Sequence, residues 1–351
     1  MLRAHWLDYL LSLVMARRPL FGSGWGDSAR LDRFLMGLGL EEPPEPLAIA
    51  WSPSREYRGF VVRDGTFESP IAELPHAAHR GHLRALLPRR QRFARPRAMY
   101  VSLAGSGEEG FAVRLRLFGP LVEHFGIGVL LLENPFYGLR RPPGQRGSAI
   151  RTVSEHMLMN LAMVKESLGL LESLAEQGHT RLGVTGFSMG GAMAALTAAI
   201  TPRPVAVAIF CAGRAPKYAF TRGLLTRSID FEHLGLTEGG REAARGRLRR
   251  LFATADLDRH PVPRCPKAAV IVGARHDGYV SPEEVQRLHE LWKGSEVRWL
   301  DTGHVGAMLR HTVALRRAAV DAIDRLVVVR REDTITPGTP SVAERPNCVS
   351  L

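Results

Sequence analysis

An open, mostly parallel α/β sheet with helices wound on both faces is the architecture this sequence predicts, and three observations predict it. Short, wholly apolar runs rich in Val, Ile, Leu and Ala recur along the chain, the pattern of strands covered on both faces. Longer stretches with helical periodicity separate them. The alternation continues from about residue 82 to 329 without an internal repeat, which fits one doubly wound domain. The clearest strands are Ala98–Leu103, Gly128–Leu132, Leu182–Thr185, Val205–Phe210, Ala268–Val272 and Val297–Leu300, with helical patterns near 111–125, 152–177, 189–200, 282–293 and 305–329.

Ahead of the alternation, residues 1–46 read as a helical extension: two helices joined by the glycine-rich turn Phe21–Asp27 and closed by the proline run Glu41–Pro46. Leu2, Trp6, Leu10, Leu13 and Arg17 fall at helical spacing, an amphipathic face expected to pack on the domain, with shallow insertion into a membrane surface as the alternative. Tyr57–Arg63 and Thr66–Ser69 flank Asp64-Gly65, a hairpin signal. Residues 47–331 are expected to form the α/β domain. Within it, 214–264 is an arginine-rich helical insertion between two strands, with Arg241, Arg245, Arg247, Arg249 and Arg250 close together, and it is expected to form a short lid. Residues 332–351, polar with Pro337, Pro340 and Pro346, are expected to be a disordered tail.

Composition excludes several classes. Across 351 residues, 45% are hydrophobic and 23% charged, so the chain has material for a large core. No apolar run reaches the ~18 residues of a membrane-spanning helix. Leu7–Ala16 is interrupted by Asp8 and followed by Arg17-Arg18-Pro19, which does not suit a signal peptide. Three cysteines, Cys211, Cys265 and Cys348, make neither a disulfide framework nor a C-x-x-C zinc pair, pointing to a reducing, cytoplasmic setting without a metal. The net charge is +12, and only four of 47 basic residues are lysines. That skew suits a GC-rich genome or attraction to a phosphate-bearing partner such as anionic lipid. Arg89, Arg90, Arg92, Arg95 and Arg97 lack any nucleic-acid-binding signature and read as a solvated basic loop, so no nucleic-acid partner is expected. Cys348-Val349-Ser350-Leu351 has the outline of a prenylation box, but Ser350 and the lack of an adjoining polybasic stretch argue for coincidence.

Chemistry concentrates at Gly186-Phe187-Ser188-Met189-Gly190-Gly191, a G-x-S-x-G pattern between a strand and an alanine-rich helix. This is the setting of a nucleophile elbow, in which a sharp turn lifts the serine hydroxyl above the sheet. A serine needs a base, and the base an orienting acid. Asp277 follows the strand Ala268–Val272 and His304 follows Val297–Leu300, both at strand ends facing the crevice of such a sheet. Asp301 is a rival acid, better suited to a loop cap because it lies so near His304, and His276 is a rival expected in solvent. The Met189 amide supplies one oxyanion donor, and the loop Leu103-Ala104-Gly105-Ser106-Gly107 a second, through Ala104 or Gly105. Glu133-Asn134-Pro135-Phe136-Tyr137-Gly138 ends a strand on the same edge, where Glu133, Asn134 and Tyr137 are expected to hold the pocket loops by hydrogen bonds.

Together these residues resemble the alpha/beta-hydrolase domain-containing protein 18 family. The resemblance runs from Phe21-Gly22-Ser23-Gly24-Trp25-Gly26 through Leu103–Gly107, the Glu133–Gly138 element and the serine motif to Asp277 and Gly303-His304. It implies the alpha/beta-hydrolase fold, a Ser188–Asp277–His304 triad, no cofactor, and hydrolysis of lipid acyl esters. Mitochondrial phospholipids such as cardiolipin are the substrates associated with animal members, and a mitochondrial location is implied for a eukaryotic source. The lid is far shorter than in animal members, and no presequence is evident. The expected function is therefore a serine hydrolase of carboxylic esters, with (phospho)lipid acyl esters as substrates, held peripherally at an anionic membrane by the basic lid and first helix. An acyltransferase using the same triad and a non-catalytic scaffold with the same fold are the alternatives.

Overall fold

The computed structural model describes residues 4–17, 19–37, 39–40, 42–89 and 98–334, with side chains to 326. Ten strands among them form one sheet: β1 (Ala50–Trp51), β2 (Arg55–Tyr57), β3 (Phe60–Glu68), β4 (Arg80–Pro88), β5 (Ala98–Leu103), β6 (Gly128–Leu132), β7 (Arg181–Phe187), β8 (Ala206–Phe210), β9 (Ala269–Ala274) and β10 (Glu296–Leu300). Their spatial order is β1-β3-β4-β6-β5-β7-β8-β9-β10, with β2 paired to β3. From β6 to β10 every pairing is parallel, and the β1–β4 side is antiparallel. The six apolar runs read from the sequence are these parallel strands, and β5, β6, β8 and β9 are buried at every position.

The helices are α1 (Trp6–Ala16), α2 (Ser28–Met36), α3 (His76–His79), α4 (Ala112–Phe125), α5 (Val153–Glu176), α6 (Met189–Ile200), α7 (Lys217–Thr221), α8 (Phe231–Gly235), α9 (Arg241–Phe252), α10 (Pro282–Leu291), α11 (His304–Arg310) and α12 (Thr312–Thr334). One apolar core lies between the sheet and α5, α6 and α10, and extends to α2 and α9. A second, on the opposite face, is built with α4 and α12. α5 starts at a full capping box, Thr152 with Glu155, which satisfies its first donors reciprocally. The chain leaves β5 toward β6 on one side, while β7 lies on the other. The strand order therefore diverges at β5, and a crevice opens above the C-terminal ends of β5 and β7.

Several expectations are corrected. Asp64-Gly65 is not a turn: β3 runs straight through it, with Asp64 opposite Arg84 on β4. The reversal comes earlier, at Arg58-Gly59, whose φ angles of 40° and 89° are the double positive pair of a tight hairpin turn. The helical pattern of 305–329 is two helices, broken at His311. Residues 332–334 continue α12 rather than beginning the expected tail; the rest of that tail, Cys348 included, lies outside the described residues, as do Arg90, Arg92, Arg95 and Arg97. Segment 214–264 carries α7, α8 and α9 between β8 and β9.

The face of α1 is also reversed. Trp6 and Leu13 are 61% and 57% exposed, and Leu10 also faces out, whereas Asp8 and Ser12 are fully buried. A carboxylate takes the inner face because three backbone donors await it there.

Candidate active site

Ser188 caps α6 with φ 56° and ψ −120°, a conformation costly for a residue with a Cβ and held by the packing around it. Its N–H donates to Phe210 O at 2.8 Å. The flanking glycines are demanded by close approach: a Cβ on Gly186 would lie 2.3 Å from the Gly190 carbonyl, and one on Gly190 would lie 2.3 Å from Leu103 O. Met189, the first residue of α6, presents its N–H at a helix N-terminus, where the aligned peptide dipoles favour negative charge.

Asp277 and His304 meet. Asp277 Oδ2 lies 2.7 Å from His304 Nδ1, while Oδ1 accepts from Tyr279 N and Val280 N at 2.8 and 2.9 Å. Both side chains are buried. Phe187 and Tyr279 pack on the imidazole at ring separations of 4.8 and 5.0 Å. Burial by itself would lower the pKa of His304. The Asp277 carboxylate and its hydrogen bond, with the Asp8 charge behind them, outweigh burial and hold the pKa above the ordinary imidazole value. Ser188 and His304 line the same cavity, although no hydrogen bond joins them. The rivals pair with each other at the surface, His276 Nε2 lying 2.9 Å from Asp301 Oδ1.

Asp8 is the residue sequence reasoning missed. Its Oδ2 accepts from Gly278 N and His304 N, and its Oδ1 from Val305 N, all at 2.9 Å; Tyr279 Oη donates to its backbone carbonyl at 3.1 Å. One buried carboxylate on α1 thus clamps the loop of the acid to the loop of the base. The only sequence signal was a charge inside an apolar run. Cys211 lies behind the pair, with ligand atoms of Cys211, Asp277 and His304 within 4.8 Å of one another. Burial, with Asp277 and Asp8 nearby, raises the thiol pKa well above its ordinary value, which suits a packed thiol better than a metal ligand.

The opposite wall is held from below. Arg114 Nη1 donates to Ser102 O and Leu132 O at 2.7 and 2.9 Å, joining the ends of β5 and β6, and its Nε reaches Glu108 Oε1 at 2.8 Å. Glu108 Oε2 accepts from Gly105 N at 3.3 Å. Of the two loop residues expected to serve an oxyanion, Gly105 lines the cavity at Ser188 with its amide held by Glu108, whereas Ala104 is fully buried and does not line it. Asn134 Nδ2 donates to Ala104 O at 3.2 Å, Gly107 N to Tyr137 Oη at 3.3 Å, and Gly110 N and Leu139 N to Glu133 at 2.9 and 3.2 Å. Gly138, with φ 49°, has no room for a Cβ, which would sit 1.9 Å from Glu133 Oε1. Beneath this loop the buried pair Arg140–Glu166 is bidentate at 2.6 and 2.8 Å, with Ser69 Oγ also donating to Glu166, so both charges are compensated.

An apolar trough of about 290 Å³ leads to Ser188, walled by Leu11 and Met15 of α1, Val113, Phe187, Met308 and Leu309. Outside it the apolar surface continues over Trp6, Leu10, Leu13 and Val14. Three of the five clustered arginines of segment 214–264 are engaged within the protein: Arg241 pairs with Glu232, Arg247 with Glu238 while stacking on Trp25, and Arg245 stacks on Phe231.

The sheet order, the elbow and the Asp277–His304 pair define an enzyme of the α/β-hydrolase class. The chain belongs to the family described as alpha/beta hydrolase domain containing 18, which matches residues 18–239 and 235–325. In fold it is similar to acetyl xylan esterase from Paenibacillus sp. R4 (TM-score 0.54, 14% identity, covering 87% of this chain and 98% of that one). It is also similar to acetyl xylan esterase 1 from Thermoanaerobacterium sp. JW/SL YS485 (0.53, 14%, 89% and 98%) and to an S-formylglutathione hydrolase from Agrobacterium tumefaciens (0.52, 15%, 79% and 99%). No described helix is long and apolar enough to cross a membrane.

Proposed function

We propose that the protein is a serine hydrolase of carboxylic esters that carry a long apolar chain, namely acyl esters of lipids, taken up from a membrane surface. The apolar trough ending at Ser188 carries this reading. Its volume is near the ~300 Å³ lower end of small-molecule sites, and its wall merges with the exposed face of α1. That face would enter the headgroup region, with attachment depending on apolar contact more than on the lid arginines, which are largely spent within the protein.

The Ser188 hydroxyl turns toward His304 Nε2, gives up its proton and attacks the ester carbonyl carbon. Asp277 fixes the Nδ1–H tautomer and stabilises the imidazolium. The oxyanion is received by the N–H of Met189 and by an amide of the Ala104–Gly105 loop, each donor worth about 3 kcal/mol in such sites. Collapse of the tetrahedral intermediate breaks the ester C–O bond, His304 protonates the departing alcohol, and water repeats the sequence in reverse to free the acid.

A fluorophosphonate probe should label the protein at Ser188, Ser188→Ala should not be labelled, and long-chain esters should be cleaved only by the former. Absence of labelling in the intact protein would favour a non-catalytic scaffold, and transfer to an added alcohol in preference to water would make it an acyltransferase. Flotation with phospholipid vesicles should fall when Trp6 and Leu13 are both changed to serine; unchanged flotation would separate the enzyme from the membrane.

A further inference from the structure

A second cavity opens onto Ser188 on the side away from α1. It is small, about 60 Å³, and enclosed by α5, α6 and the lid. No Asp, Glu, Lys or Arg lines it; besides the hydroxyls of Ser106, Ser188 and Tyr218, its polar side chains are His156 and Asn160, one turn apart on α5. His156 is 1% exposed, and among the described residues neither ring nitrogen has a hydrogen-bond partner; Asn160 Oδ1 is likewise buried and unpartnered. Phe21, Phe220 and Phe252 surround the imidazole at ring separations of 5.7, 5.0 and 5.3 Å. Phenylalanine would suit such a cage better than a histidine with two unsatisfied nitrogens, so packing does not account for the residue.

Burial among these rings pushes the His156 pKa down to about 3, so the ring is neutral at physiological pH. A neutral imidazole offers one donor and one acceptor, and the Asn160 carboxamide adds another polar atom. A hydroxyl, which donates and accepts at once, complements that set. An anion would be desolvated there with no cation to meet it. The space is that of about two water molecules at ~30 Å³ each, enough for a hydroxyl on one or two carbons.

We propose that His156 and Asn160 form a hydroxyl-recognition subsite, which takes the short, uncharged, hydroxyl-bearing arm of an ester whose apolar arm lies in the trough. This rests on the proposed ester hydrolysis and adds what the second arm must carry.

Two ester pairs test it: dodecyl glycolate against dodecyl acetate, with the hydroxyl on the acyl arm, and 2-hydroxyethyl laurate against ethyl laurate, with it on the alcohol arm. Each kcat/KM is divided by the hydroxide-catalysed rate of the same ester. The full chain should favour the hydroxylated member of one pair about tenfold, the effect of a net hydrogen bond of ordinary strength, and the responding pair names the arm. His156→Phe, which keeps the aromatic packing, and Asn160→Leu should each bring that ratio to about one; Asn160 is only partly buried, so its variant serves if the other misfolds. Equal rates within both pairs, with Ser188 still labelled by fluorophosphonate, would mean the cavity holds only water and would overturn the subsite while leaving the hydrolase. A preference surviving both substitutions would also overturn it. Loss of labelling and of all ester cleavage would remove the hydrolase reading and the subsite with it.

Discussion

Two buried carboxylates serve the same histidine from different parts of the chain. Asp277 stands in the loop after β9 and touches the imidazole itself, at Nδ1. Asp8 stands on α1, outside the sheet, and never touches the ring; it holds the backbone amides of His304, Val305 and Gly278. In the proposed mechanism one governs which nitrogen carries the proton, while the other holds the backbone that carries the ring. The difference teaches that chemistry and geometry at this site are supplied by separate segments, and that damage to each should look different.

Substitution at Asp277 should have the larger effect. Asp277→Asn keeps the shape and places an amide opposite Nδ1, favouring the wrong tautomer. A fall of roughly 10⁴-fold in kcat with little change in KM is expected, as at comparable triads. A fall below tenfold would mean that Asp277 does not orient the base. Asp8→Asn should cost less in rate, about 10- to 100-fold, but more visibly in stability. A carboxamide cannot accept from all three amides, and an unsatisfied buried donor costs about 1–3 kcal/mol. Denaturant melts with kinetics would show this, and equal effects of both substitutions on stability would erase the contrast.

The smallest expected effect is in pH dependence. With its pKa raised by Asp277 and Asp8, His304 must lose its proton above the ordinary value of about 6.5 before it can act as a base, so kcat/KM should rise with pH through that higher value. Stability should run the other way. The folded state favours the charged ring, so the contribution is complete below the unfolded pKa and is lost as pH rises through the folded one. In Asp8→Asn the kinetic midpoint should move down; an unmoved midpoint would confine Asp8 to holding the backbone.

What the sequence made legible followed chain-local rules. Apolar runs gave the parallel strands because such runs must be covered on both faces, and strand-end logic pointed to Ser188, Asp277 and His304, of which the last two meet and the first and last line one cavity. What it hid was tertiary. Asp8 looked like a flaw in an apolar helix because its partners lie about three hundred residues away. Asp64-Gly65 looked like a turn because its real partners are Arg84 and Trp51 on neighbouring strands. His156 has no neighbouring motif to mark it, and only the fold shows its unpartnered nitrogens in a cavity that also reaches Ser188.

Asp8 and His304 are separated by 296 positions. During synthesis α1 therefore precedes its partners, and the Asp8 carboxylate stays without them until Gly278, His304 and Val305 have been made. The clamp closes only when α1 and the loops after β9 and β10 are all in place. A chain that stops short of His304, or that lacks α1, therefore cannot close the clamp, whatever part of the sheet it forms.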